Sequence, residues 1–249
     1  MDGVILLALA GFVGGGMNAL AGGGSFVTLP VLIASGVPSV SANATSSVAL
    51  YPGGASSAWV YRAGLRPIGG VRLPPMLAVT LLGGLVGSLL LLWTPTRLFD
   101  ALLPWLMLVA TITLAFGARL GPALRRRLSV GRHAVLGVQF VLGVYGGYFG
   151  GAVGLMMMAA WSLLHDADIK LLNAPRTLMV TAANSIAILC FALAGAVRWD
   201  AALFVGGGAL AGGYAGAHLG RILPAPAVRA ATIALSIAVT TLLFVRFYR

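Results

Sequence analysis

Gly14-Gly15-Gly16-Met17-Asn18-Ala19-Leu20-Ala21-Gly22-Gly23-Gly24-Ser25 lies inside a run from Gly3 to Tyr61 that holds no Asp, Glu, Lys or Arg. As one helix that run would be about 88 Å long, against a bilayer hydrocarbon core of about 30 Å. It must fold back. Gly36-Val37-Pro38-Ser39 is the natural break, leaving segments near 3–35 and 40–62. The first is still too long for a single crossing, at roughly 48 Å if helical, and its middle is the glycine cluster. Excess length and central glycines together predict a broken helix, part span and part short half-helix.

Outward from that stretch the pattern continues. Further charge-free runs cover 73–96, 101–118, 133–165, 177–197, 201–220 and 230–245. Of 249 residues, 59% are hydrophobic and 8% charged, where a soluble domain carries about 25% charged residues. Lipid is therefore the solvent. The alternation of a membrane barrel is missing, which leaves helices as the structure that satisfies the backbone. Spans are expected near 3–35, 40–62, 73–95, 98–117, 134–165, 169–196, 200–221 and 227–247, eight segments in an all-α polytopic protein.

The net charge of +11 invites a nucleic-acid partner, but the placement of the charge excludes one. Arg119, Arg125, Arg126, Arg127 and Arg132 share one connection and the others sit at segment ends, which is the positive-inside pattern. With the N-terminus in the cytoplasm, Arg62, Arg66, Arg72, those five, Arg198, Arg246 and Arg249 fall inside. Both termini are then expected in the cytoplasm. The single Cys190 excludes an internal disulfide and reads as a packing residue. The N-terminus, without a basic leader region, reads as a retained first helix.

The segment 134–165 repeats the oddity of 3–35, with Gly146-Gly147, Gly150-Gly151 and Gly154 in its middle. A shift of 132 residues lays Gly11, Gly14, Gly15 and Gly22 on Gly143, Gly146, Gly147 and Gly154, and Arg66 on Arg198. With a three-residue adjustment Gly83-Gly84 and Gly87 meet Gly212-Gly213 and Gly216. The chain is read as two homologous four-segment repeats, 1–117 and 133–249, joined by an arginine-rich cytoplasmic loop at 118–132. Each repeat opens on a glycine-broken helix. An even number of spans makes the halves parallel, and the arginine bias favours that relation; a long segment that crossed twice would invert them.

Transporters are often built from such repeats, with substrate held by discontinuous helices. A helix that starts inside the bilayer exposes free N–H groups and the positive end of its dipole, which attract anions. Gly22, Gly23, Gly24 and Ser25 fit that role in the first half, and Gly150, Gly151 and Gly154 in the second. Asn18, Asn43, Thr45 and Thr177 are candidate polar lining, although for most such residues taken singly capping and interhelical hydrogen bonds are the better account. Arg176 differs, because a cation several residues inside an apolar segment needs a partner or a ligand. Asp166 and Asp168 are its nearest acids in sequence. His218, inside the seventh segment, is a candidate for proton coupling or for a neutral interhelical hydrogen bond.

Gly22-Gly23-Gly24-Ser25, Leu29-Pro30, Ala42-Asn43-Ala44-Thr45-Ser46, Gly64, the Gly83–Gly87 glycines and their repetition resemble the sulfite exporter TauE/SafE family over nearly the whole chain. That resemblance implies a bacterial inner-membrane permease for sulfite, sulfonates or related small sulfur-containing anions, working by a secondary, ion- or proton-coupled mechanism. The second half departs from the pattern, with Gly154-Leu155-Met156 and Trp161-Ser162 where the triple glycine and Leu-Pro would stand. The other readings are a passive anion channel and an intramembrane serine protease using Ser25 and His218. A channel lacks a ring of charged residues for a filter here. The protease lacks the glycine expected after its serine, that position being Phe26. No metal-ligand spacing, phosphate-binding loop or cofactor motif is present in the sequence, and the expected partners are a small anion and the lipid bilayer.

Overall fold

A computed structural model describes residues 2–125, 131–164, 169–219 and 222–249. Among the described residues there are ten α-helices. These are α1 (Asp2–Ala21), α2 (Ser25–Ala34), α3 (Ser39–Tyr61), α4 (Leu73–Trp93), α5 (Thr96–Arg125), α6 (Arg132–Tyr148), α7 (Val153–Leu164), α8 (Asn173–Leu193), α9 (Trp199–Leu219) and α10 (Ala225–Tyr248). Five of them, α1, α4, α5, α8 and α10, are long and apolar enough to cross a membrane. Large apolar side chains cover the outside, such as Leu9 and Phe12 of α1, Leu203 and Leu210 of α9 and Leu242 of α10. Exposed Trp59, Tyr61, Trp93, Trp199 and Tyr248 cluster at helix ends, where amphipathic rings meet the headgroups. The protein is a polytopic membrane protein.

The eight segments map onto ten helices because both long segments are broken. α1 ends at Gly22, whose φ of +77° suits a residue without Cβ. Its amide donates back to the carbonyls of Met17 and Asn18. The chain then reverses. A Cβ on Gly14 would lie 2.6 Å from Thr28 Cγ2, and one on Gly24 would lie 3.0 Å from Asn18 Cβ, so α2 runs back along α1. Thr28 and Ser46 share a 2.6 Å hydroxyl hydrogen bond, and Leu50 Cδ1 lies 3.1 Å from the Gly24 Cβ position. α3 therefore runs in the direction of α1. The second half repeats the manoeuvre. Gly150 (φ +73°) closes α6 by donating to Tyr145 O, and α7 returns along α6 with Trp161 Nε1 donating to Gln139 Oε1 at 3.0 Å.

α3 and α8 occupy matching places in the two halves and run antiparallel, with Tyr51 against Ser185, Gly54 against Thr181 and Gly64 against Ala174. A two-fold axis along the membrane normal would leave matching helices parallel. The same reversals separate the termini from the arginine-rich connection. α5 and α10 are antiparallel, with Tyr248 at Ala101 and Arg229 at Leu114, and the start of α10 sits level with Gly23 through Thr232. Both termini thus share one end of the bundle, and the end of α5 lies at the other.

Across the halves the helices pair reciprocally, α1 with α9 and α4 with α6. Glycine makes both seams. A Cβ on Gly15 would stand 2.6 Å from Ala209 Cα, and one on Gly87 2.7 Å from Tyr148 N, so backbone lies directly on backbone. Small residues at such contacts supply the close packing that associates helices in lipid, where the hydrophobic effect between them is weak.

Candidate functional site

Between the two breaks and the α3–α8 crossing lies a cavity lined by Asn18, Gly22, Ser25, Ser47, Leu50, Tyr51, Gly54, Ser57, Gly150, Val153, Gly154, Arg176, Thr177, Val180, Thr181 and Asn184. Of the residues singled out from the sequence, Asn18, Gly22, Ser25, Gly150, Gly154, Arg176 and Thr177 meet here. Arg176 is the charged member of that lining. Pro175 stands just before it in the first turn of α8, and its stem lies over Gly154, whose Cβ position is 3.4 Å from Arg176 Cδ. Its Nη1 reaches to 3.8 Å from the Cβ position of Gly22. Gly22 closes α1 and Gly154 lies in the first turn of α7, so one arginine side chain reaches from the second hairpin to the first break. Arg176 Nε is buried without a hydrogen-bond partner, and among the described residues the ion pair present is the exposed one between Arg198 and Asp200. Asp166 and Asp168, the acids expected to neutralise Arg176, lie outside the described residues.

The remaining candidates do other work. Gly23 packs against Phe26 and Thr232, Gly24 against Gly14 and Asn18, and Gly151 under the Phe149 ring, so the three allow close approach of protein to protein. Asn43 is buried and donates through Nδ2 to Tyr148 O at 3.0 Å, capping the broken end of α6. Thr45, also buried, accepts from the Arg198 amide at 3.0 Å and ties α3 to the start of α9. His218 sits on the exposed face of α9, bonded to Tyr214 O at 3.0 Å and tilted against the Tyr214 ring. It does not line the cavity, and the Ser25–His218 pair that a protease would need is not assembled.

Sequence reasoning missed Tyr51, Ser57, Thr181 and Asn184, and saw Ser47 only as one of a polar cluster at the start of its segment. A signal was present. Ser47, Tyr51 and Gly54 in α3, and Thr177, Thr181 and Asn184 in α8, recur at three- and four-residue intervals, which places each set on one helix face. Polar residues in such a stripe within an apolar helix face protein or a cavity, not lipid. Tyr51 and Ser185 join the two helices by a 2.6 Å hydrogen bond, and Thr181 donates to Gly54 O at 3.3 Å.

The chain is 31% identical over 221 residues to a probable membrane transporter protein of Haemophilus influenzae, covering 88% of this chain and 84% of that one. It is 28% identical over 212 residues to the probable membrane transporter protein YfcA of Escherichia coli, covering 85% and 76%. To the probable membrane transporter protein ORF9 of a Sinorhizobium species it is 24% identical over 235 residues, covering 93% and 88%. No solved structure matches. The family model described as sulfite exporter TauE/SafE matches residues 7–243, and the chain belongs to that family of membrane transporters.

Proposed function

We propose that the protein is a secondary permease of the bacterial inner membrane for a small oxyanion, sulfite or a related sulfur-containing anion or organosulfonate, bound at Arg176. The observation that carries this is the Arg176 side chain, lodged between the two hairpins with a buried Nε that has no hydrogen-bond partner. A desolvated cation is costly unless an anion completes it. The planar fork of donors suits an oxyanion, with Ser25, Thr177 and Asn18 beside it in the lining. Gly154 matters as a missing side chain, because a residue there would crowd Val180 and the arginine stem, while Gly22 matters for its left-handed φ.

The reading of residues 1–117 and 133–249 as equivalent halves is supported by the reciprocal helix pairs, and the antiparallel α3 and α8 favour an inverted relation about an axis in the membrane plane. The arginine bias then carries a different orientation from the one expected. Arg62, Arg66, Arg72, Arg125 and Arg132 gather at one end, against Arg97, Arg198, Arg246 and Arg249 at the end that holds the termini. We place the first end in the cytoplasm.

Flux into proteoliposomes of sulfite, thiosulfate, sulfate and a two-carbon sulfonate tests the reading. Arg176→Ala should reduce flux of the preferred anion about 30-fold or more, since losing a buried charged contact costs at least ~2 kcal/mol. Arg246→Ala, at the exposed C-terminal end, should leave it unchanged. Equal losses in the two variants would reject Arg176 as the anion site.

A further inference from the structure

We propose that the cavity end remote from Arg176 binds a small monovalent cation, for which sodium is the fitting ion, through oxygen atoms at the broken end of α6. Three oxygens from three helices converge on the space beside Gly150. Ser47 Oγ lies 3.4 Å, Gly146 O 3.5 Å and Asn184 Oδ1 3.6 Å from the position a Cβ on Gly150 would take. Gly150 has a left-handed φ of +73°, and its lack of a side chain keeps that space open. Ser47 and Asn184 line the cavity, and neither side chain hydrogen-bonds to any described residue.

Gly146 O is free for a specific reason. The next helical donor would be the Gly150 amide, which turns to Tyr145 O because α6 stops there. The carbonyl end of α6 also carries the negative pole of the helix dipole, which repels an anion and attracts a cation. Hydroxyl, amide and carbonyl oxygens at a helix break are the ligand set that transporters use for sodium. A divalent ion would call for carboxylates, and the cavity lining holds none.

The inference rests on the anion site proposed at Arg176. An anion held between the guanidinium at one end and a bound cation at the other is attracted by both. Each ligand then raises the affinity for the other by the same factor. Sodium-coupled anion flux is the consequence.

The test is binding of radiolabelled sodium to the purified full chain, with anion flux measured in proteoliposomes under an inward sodium gradient and under choline. Ser47→Ala and Asn184→Ala should each weaken sodium binding about tenfold or more, the effect of ~1.4 kcal/mol, and abolish the sodium stimulation of flux. Ser47→Ala removes one oxygen, so it answers the question even if the asparagine variant misfolds. Arg176→Ala should lose anion flux while still binding sodium. Flux equal in sodium and choline, with no sodium binding by the wild-type chain, would overturn the cation site and leave the anion reading standing. So would flux driven by a pH gradient alone. Sodium binding that depends on Ser47, with no flux of any tested anion, would support the cation site while the anion reading fails.

Discussion

The two helix breaks, at Gly22 and Gly150, lie 128 residues apart and build the same hairpin from different chemistry. At the first, a glycine triplet ends α1 and opens α2; the amides of Gly23, Gly24 and Ser25 have no backbone acceptor there, and the Arg176 guanidinium lies against Gly22. At the second, Phe149 is buried, Gly150 and Ala152 both take positive φ, and the exposed chemistry is the oxygen end of α6. Shape is shared, and so are free amides, since those of Gly151, Ala152 and Val153 also find no backbone acceptor; what differs is the side chains that face each break. A cavity bounded by two such breaks has unlike ends, which a pair of identical glycine clusters would not provide.

The strongest way to break the comparison is at the seams, where the halves match most closely. Gly15 lies in the α1–α9 seam and Gly147 in the α4–α6 seam. A Cβ would sit 2.6 Å from Ala209 Cα in the first case and 2.8 Å from Gly84 Cα in the second. Backbone cannot swing aside as a side-chain tip can, so Gly15→Val and Gly147→Val should each exceed the ~1–3 kcal/mol of ordinary overpacking. Loss of monodisperse protein on size-exclusion chromatography is the expected result for both. Survival of one variant alone would show that the halves do not carry equal weight.

A smaller effect separates the halves internally. Trp161 donates to Gln139 Oε1 at 3.0 Å, and Gln139 Nε2 donates to Thr80 Oγ1 at 2.8 Å, all three residues being buried. The 128-residue offset of the two breaks places Gly11 and Ile33 opposite Gln139 and Trp161, so the first half uses apolar packing where the second uses a polar network. Gln139→Leu strands the Trp161 N–H and should cost about 1–3 kcal/mol. Adding Trp161→Leu, which removes the stranded donor at the price of a cavity, should recover part of that loss. Thermal denaturation in detergent measures both, and a double variant no better than the single one would contradict the account.

How far these features could be read beforehand follows from what each residue type can signal. Charge is excluded from lipid, so the charge-free runs mark the segments, and excess length marks 3–35 and 134–165 as broken. Direction was less accessible, because a glycine cluster reads alike whether the chain kinks onward or reverses. Glycine also has no side chain whose chemistry tells a ligand contact from a helix contact. Gly22 and Gly154 face the cavity, while Gly23, Gly24 and Gly151 pack under protein, and nothing in the letters distinguishes them. Arg176 was legible because a cation within an apolar segment is costly; Ser47 and Asn184 were obscured by a serine- and alanine-rich background.

Conformational cost offers a finer contrast between the breaks. Ala152 holds φ at +57° with a Cβ, whereas Gly22 holds +77° without one. The left-handed region costs an L-residue roughly 1–2 kcal/mol. Ala152→Gly should therefore raise the melting temperature by a few degrees, and Gly22→Ala should lower it by a similar amount. Space is not the obstacle at Gly22, where the nearest atom to a Cβ would be Arg176 Nη1 at 3.8 Å. Opposite shifts of matching size are the expected signature of backbone conformation. A much larger loss at Gly22 would mean that the methyl displaces the arginine.

The smallest effect belongs to His218. It lies between the breaks in neither sense, on the exposed face of α9 beside Tyr214, with Nδ1 at 3.0 Å from Tyr214 O. A group that relays protons to a substrate must share the cavity with it or reach it through a chain of polar groups, and the α9 face turned to α1 is made of glycine and alanine at Gly208, Ala209 and Gly212. His218→Ala should accordingly change anion flux less than about twofold, within the ±0.5 kcal/mol typical of surface substitutions, and leave its pH profile in place. Flux that lost its pH dependence in this variant alone would restore His218 as a coupling residue. It would also require a proton path through the α1–α9 seam, where backbone lies on backbone.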